Sequence, residues 1–171
     1  TKGRDAVRRL LRKIRTLEDM EAVMKYRRSA GRKIVLTNGC FDLFHAGHAL
    51  YLQAARELGD LLVVAVNSDR AVAELKGPGR PLCSQEARCQ VLAGMLCVDY
   101  ITVFDDADAT DTIRRLAPDV WAKGGDLNLD TIPPQQRAIL EEMGTEIVFL
   151  PLLEGYSTTA LVEKAREGWG A

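Results

Sequence analysis

The sequence predicts an α/β fold: a Rossmann-like, doubly wound sheet of about five parallel strands with helices on both faces. Three observations carry that expectation. Apolar runs rich in β-branched residues recur at 33–37, 61–67, 99–104, 119–123 and 146–150, and such near-continuous strands suit a parallel sheet buried on both sides. Helical stretches with their own start and stop residues separate them. The 171 residues, 47% hydrophobic and 27% charged, suffice for one domain with a sizeable core.

Residues 1–31 differ in composition and form a basic, helical N-terminal extension or linker ahead of a domain at 32–171. Arg8, Arg9, Arg12, Lys13 and Arg15 crowd one short run. Thr16 with Asp19 resembles a capping box opening a helix to Ser29, with Gly31 as its stop. A functional reading of such a segment is an RNA-binding arm; a solvated helix that packs beside the sheet, or once linked a preceding domain, is the favoured one, and no nucleic-acid partner is expected. The chain opens on Thr1 rather than methionine, which leaves room for an upstream domain.

The first strand, 33–37, runs into a glycine-containing segment and then a helix at 47–58. Leu50, Tyr51, Ala54, Ala55 and Leu58 share one face of that helix, and Gly59 follows as a stop. After the second strand, Ser84 can cap a helix to about residue 96. A helix at 109–116 ends before Pro118, another starts near Pro134 and stops at Gly144, and Ser157 can cap the last, through about residue 167. Crossovers in such a sheet are right-handed, and ligands bind at the carboxyl ends of the strands beside the switch point in strand order.

Composition narrows the function. A net charge of −1 argues against nucleic acid as a partner of the whole surface. No apolar run approaches a membrane span and no signal-peptide pattern opens the chain. Cys40, Cys83, Cys89 and Cys97 show no Cys-x-x-Cys spacing, and read as free thiols rather than disulfides or a zinc site. A cytoplasmic enzyme is the expected class.

The chemistry concentrates at residues 37–48, Thr-Asn-Gly-Cys-Phe-Asp-Leu-Phe-His-Ala-Gly-His, which hold both histidines of the chain. A strand end meeting a helix start offers free backbone N–H groups and a positive dipole to an anion. His45 and His48, three residues apart, share a helix face and aim at one ligand. A metal reading lacks a third and fourth ligand, and two histidines in a glycine-containing turn make poor core material. Phosphate contact remains, with Gly39 and Gly47 allowing close backbone approach.

Other segments gather at the same rim. Lys76 and Arg80 flank Gly77-Pro78-Gly79 and read either as phosphate clamps or as a solvated basic turn. Arg88 can reach phosphate, or pair with Glu86 or another carboxylate. Lys123-Gly124-Gly125-Asp126 ends the fourth strand, where glycines admit a base or sugar and the flanking charges ask for a site role. Ser157-Thr158-Thr159 is an N-cap whose N–H groups can also hold an anion. Asp42 sits uneasily beside phosphate unless it orients a neighbour, Asn38 being one candidate. Trp121 reads as core, and Trp169 lies at a frayed end.

Thr37-x-Gly39-x-Phe41-Asp42-x-x-His45-x-Gly47-His48 resembles the signature of the nucleotidyltransferase superfamily. Asn67-Ser68-Asp69, Leu75-Lys76-Gly77 with Arg80-Pro81, Glu86-x-Arg88, Lys123 to Asp126 and Ser157 to Thr159 follow in an order similar to the D-glycero-β-D-manno-heptose 1-phosphate adenylyltransferases. These occur alone or behind a kinase domain. The resemblance covers about residues 32–166 and is specific through its motifs jointly. It implies that ATP and a sugar 1-phosphate give an ADP-sugar and pyrophosphate, with Mg²⁺ bound mainly through the ATP phosphates. The product would serve lipopolysaccharide core or related glycoconjugate synthesis.

The resemblance also implies site roles. His45, His48 and Lys76 would be catalytic. Asn38, Gly39, Phe41, Gly47, Arg80, Arg88, Lys123, Gly124, Gly125, Asp126, Ser157, Thr158 and Thr159 would bind nucleotide or phosphate. Asp42, Asn67 and Asp69 would orient them, and no residue would be a dedicated metal ligand. Related enzymes often form homodimers. Leu127 stands where the family commonly has an aromatic residue, and the stretch through Pro133-Pro134 also departs from it, which touches acceptor recognition more than nucleotide activation. A cytidylyltransferase for glycerol 3-phosphate or a similar phosphorylated alcohol is the alternative enzyme. A nucleotide sensor without turnover is the alternative of another class, against which intact His45, His48, Lys76 and Arg80 argue.

Overall fold

The structure is a computed structural model that describes residues 2–106, 108–125, 128–151 and 155–169. Its described elements are helices α1 (Lys2–Leu11) and α2 (Leu17–Ser29), then β1 (Ile34–Gly39), α3 (Ala46–Arg56), β2 (Leu61–Asn67), α4 (Asp69–Lys76), α5 (Gln85–Ala93) and β3 (Tyr100–Phe104). The second half adds α6 (Thr110–Leu116), β4 (Val120–Gly124), a single 3-10 turn at Leu129–Thr131, α7 (Pro134–Glu142), β5 (Glu146–Leu150) and α8 (Thr158–Trp169). All five expected strands are present and pair in parallel, in the order β3-β2-β1-β4-β5.

Strand periodicity sorts the apolar side chains onto two faces. Val35, Val64, Ile101 and Val120 pack with Tyr51, Leu52 and Ala55 of α3 and Cys89, Leu92 and Ala93 of α5. Ile34, Leu36, Val63 and Trp121 pack on the other face with Ile113 and Leu116 of α6 and Ile139 and Leu140 of α7. Helices on both faces explain why the strands read as continuous apolar runs rather than alternating ones.

Most helix ends follow their sequence signals. Thr16, Ser68, Ser84 and Ser157 each accept a backbone N–H from the first turn of the following helix. Pro134 stands at the start of α7, and Gly144 takes a φ of +67° just past its end. At Gly59 a side chain is excluded by contact: an added Cβ would lie 2.8 Å from the Lys33 carbonyl oxygen.

Two findings correct the sequence reading. Helix α4, at residues 69–76, stands where the sequence reading passes from the second strand to the Lys76–Arg80 loop without a helix; it is only eight residues long and buries just Ala71 and Val72. Helix α1 falls within the expected basic, helical segment. Most consequentially, the boundary expected at residue 31 does not separate two packing units. Met20 and Met24 of α2 are fully buried in the second core, and residues 13–15 join the sheet edge through an Ile14–Ile101 bridge.

Candidate active site

The strand order has a functional consequence. The chain steps outward from β1 to β2 and β3, then returns to lay β4 against the other side of β1. The carboxyl ends of β1 and β4 therefore part at the switch point, where loops diverge and a crevice opens. A cleft of about 600 Å³ lies there, walled by residues from β1, β2, β4, the α4–α5 loop and the start of α8. A smaller adjoining cavity of about 250 Å³ shares its Asn38–Phe41 wall and adds His45, Gly47 and Gly124.

The histidine segment forms the floor. His45 stands at the N-cap of α3, with no capping bond from its side chain, and His48 lies in the first turn. Their rings stack with centroids 3.8 Å apart and planes inclined by 22°. Phe41 and Phe44 close on His48 at 5.3 and 5.5 Å. Gly47 makes the stack possible, since a Cβ there would meet the His45 ring at 3.0 Å. Gly39 does the same for Phe41, whose ring lies 3.1 Å from where a Cβ would stand.

Burial, and then the neighbouring His45 ring, push the His48 pKa down to about 4, opposed by the Leu43 carbonyl; burial lowers that of His45. Both rings are therefore neutral at physiological pH. The Nδ1 atoms of both lie buried without a hydrogen-bond partner among the described residues. Such groups cost stability unless something completes them.

Cations ring the cleft. Lys76 ends α4, and Arg80 follows after Gly77 and Gly79, at φ +89° and +82°. Both line the cleft. Asp42 holds this loop. Its carboxylate, 1% exposed, accepts the Leu82 N–H at 2.8 and 3.0 Å and the Cys83 N–H at 2.9 Å. It also faces Arg80 Nε at 2.8 Å, an ion pair with Nε off the hydrogen-bonding direction. Asp42 thus orients Arg80 and its loop, and not Asn38.

Asn38 accepts from Trp121 Nε1 at 3.1 Å through its side chain and from Lys123 Nζ at 3.0 Å through its carbonyl. Burial lowers the Lys123 pKa to about 8. Ser157, Thr158 and Thr159 bring the start of α8 to the opposite wall. Asn67, 6% exposed, also lines the cleft.

Arg88 is the clearest correction within the expected site. Its side chain is fully buried and donates to the Cys83 and Cys40 carbonyls and to Asp69, at 3.1, 2.5 and 2.8 Å. Its guanidinium is spent tying α5 to the loop after β1, so it does not face phosphate. Asp69, its ion-pair partner, is occupied in the same way. Gly125, at φ +105°, shapes the turn after β4 without lining the cleft. Asp126 and Leu127, and the Trp169 side chain, lie outside the described residues. Sequence reading missed several wall residues: Cys40, Trp121, Ile132, Pro133 and the buried Gln136 of α7. Only the polar Gln136 inside an amphipathic helix offered a hint.

Among the described residues no group of three or more His, Cys, Asp and Glu side chains is placed to hold a metal ion. No described helix is long and apolar enough to cross a membrane.

Known proteins share this architecture. The lipopolysaccharide core biosynthesis protein of Thermoplasma volcanium, a solved structure, superposes with a TM-score of 0.60 at 25% identity, over 74% of this chain and 100% of that one. The bifunctional protein HldE of Syntrophotalea carbinolica is 43% identical over 152 residues, 89% of this chain. That of Hahella chejuensis is 45% identical over the same share. In both cases the chain spans only 31% of the relative's length. A family model described as cytidylyltransferase-like matches residues 36–164. That match begins inside β1 and ends inside α8, taking in each segment that walls the cleft, and by it the chain belongs to the cytidylyltransferase-like family of nucleotidyltransferases.

Proposed function

We propose that the chain is an adenylyltransferase that condenses ATP with D-glycero-β-D-manno-heptose 1-phosphate to ADP-heptose and pyrophosphate. The observation that carries this reading is the convergence of His48, Lys76, Arg80, Lys123 and the start of α8 on one cleft at the switch point. The similarity to the HldE proteins and to a lipopolysaccharide core biosynthesis protein supports the choice of sugar.

The chemistry suits the residues. The attacking group is a phosphate oxygen that already carries charge, and pyrophosphate leaves without needing a proton, so a general acid or base has little to do. The barrier lies in bringing two polyanions together and stabilising charge around the α-phosphorus. Neutral imidazoles of His45 and His48 would donate N–H to the oxygens there, with no proton changing hands. Lys76 and Arg80 would hold the triphosphate, Arg80 kept in place by Asp42. Lys123 and the free N–H groups of α8 would complete the cradle.

Magnesium fits as an ion carried by the nucleotide. Of the carboxylates that line the cleft, Asp42 is committed to Arg80 and Asp108 accepts the Thr110 N–H, so phosphate oxygens and water would be its main ligands. It would neutralise charge on the phosphates. The enzyme would act in the cytoplasm as a homodimer.

Pyrophosphate release with ATP or CTP, offered with heptose 1-phosphate, glycerol 3-phosphate or a hexose 1-phosphate, tests the reading. Release with ATP and heptose 1-phosphate is expected. Release with CTP alone identifies a cytidylyltransferase, and nucleotide binding without release from any pair identifies a sensor.

A further inference from the structure

At the amino ends of β2 and β3, on the edge of the sheet away from the cleft, a second concavity of about 500 Å³ is lined chiefly by cations. Arg9, Arg12, Lys13 and Arg15 come to it from α1 and the segment behind it. Arg27, Arg32 and Arg56 face them, and Asp60 and Asp99 are the carboxylates of its lining. The basic segment is anchored rather than loose. The Arg15 N–H donates to the Ile101 carbonyl at 2.9 Å, the Ile101 N–H to the Lys13 carbonyl at 2.8 Å, and Lys13 Nζ to the Met95 carbonyl at 2.9 Å.

Ordinary structural roles account for part of this charge. Arg56 pairs with Asp99 at 3.1 Å and Arg32 with Asp60 at 3.6 Å. Arg27 donates to the Tyr100 hydroxyl at 2.8 and 3.2 Å. Arg27 and Arg56 also stand in the last turns of α2 and α3, where the helix dipole favours a cation. Arg9, Arg12 and Arg15 have no side-chain hydrogen bond or ion pair among the described residues; Arg9 and Arg12 stand at the carboxyl end of α1, where the dipole favours a cation, and no dipole explains Arg15. Gathering like charges into a concavity opposes folding, and it focuses positive potential on whatever anion enters.

We propose that this concavity is a second anion site, distinct from the cleft, that takes a compact oligophosphate, either inorganic or the phosphate tail of a nucleotide. Its size, about 500 Å³, suits a small polyanion better than an extended nucleic acid. It lies about 20 Å from the cleft, the length of the intervening strands at about 3.3 Å per residue.

Nitrogen-15 amide shifts of the full chain, titrated at low salt with tripolyphosphate and separately with ATP, test this. Saturable shifts at Arg15, Tyr100 and Ile101, besides those around Gly39 and Ser157, are expected. Shifts with both ligands mark the phosphate tail as what is recognised; shifts with one alone identify that source. The double substitution R12Q/R15Q, which leaves the cleft untouched, is expected to weaken binding at this site about tenfold or more, since each lost charge-assisted contact is worth about a factor of ten. Its pyrophosphate release and the shifts around Gly39 stay as in the parent. Wild-type shifts confined to the cleft overturn the proposal. So does saturation of the site by a short single-stranded RNA that tripolyphosphate does not displace, as does unchanged affinity in R12Q/R15Q.

Discussion

Replacing Asp42 with asparagine tests the latch that holds the Arg80 loop. The change keeps the side chain's shape and removes its charge. In the parent, one buried carboxylate serves two backbone N–H groups and a guanidinium, all within 3.0 Å. Asparagine keeps one acceptor oxygen and turns an N–H₂ group toward the remaining donors. Breaking a buried ion pair costs about 3–5 kcal/mol when nothing compensates. Arg80 is 23% exposed on its side chain, so water recovers part of that, and the retained oxygen recovers more. A loss of about 2–3 kcal/mol follows. For a chain of this size that lowers Tm by roughly 5–10 °C. Thermal unfolding by circular dichroism reads the stability, and pyrophosphate release reads the site. KM for ATP should rise more than kcat falls, because a misplaced Arg80 loses contact in ground and transition states alike. Combined with Arg80→Gln, the substitution should cost less in KM than it does alone. A Tm within about 1 °C of the parent's, where about 2–4 °C per kcal/mol is expected, refutes the latch.

Four further outcomes follow from the geometry. His48→Ala should lower kcat about 100- to 1000-fold, as for a lost oxyanion donor; an unchanged kcat in the pyrophosphate assay sinks the role assigned to this ring. Because folding lowers the His48 pKa from 6.5 to about 4, the unfolded chain binds more protons between those values, so stability should fall as pH drops through that window. Denaturant midpoints for the parent should show this slope, and those for His48→Gln should be flatter. Lys123, with its pKa lowered to about 8, carries its charge below that pH and loses it above. The value of kcat/KM for ATP should therefore decline above about pH 8, and Lys123→Met should lack that limb. Met24→Ala empties a fully buried site shared with Ile34 and Trp121 and should cost about 2–5 kcal/mol; a negligible change in urea unfolding would return α2 to the status of a detachable extension.

What was legible beforehand divides along the reach of the interactions. The five strands, the Ser84 and Ser157 caps and the Pro134 start depend on residues within a turn or two of one another, and each was read from its neighbours. The histidine motif was legible for the same reason, since strand end, glycines and imidazoles are contiguous. Helix α4 escaped because, at eight residues with two buried positions, it falls short of the length at which a helical pattern is told from a loop.

Arg88 and Asp42 show where local reading stops. Each is a charged side chain in or near the histidine motif; composition alone fits Arg88 to phosphate, and gives Asp42 an orienting role without its partner. Their partners lie far along the chain, with Asp42 holding Leu82 and Cys83, and Arg88 reaching back to Cys40. The fate of the N-terminal segment is similar, as polar α2 presents only two methionines that become core once the sheet is present.

The sequence by itself determined most of the element types, the parallel sheet buried on both faces and the histidine motif that lies at the cleft. These rest on backbone preference, hydrophobic period and contiguous spacing. Only the tertiary structure decided that β4 returns beside β1, that Asp42 and Arg88 are consumed inside the protein, and that a basic segment curls into a second concavity. Those outcomes depend on contacts between residues tens of positions apart, which are settled by how the whole chain packs rather than by any stretch of it.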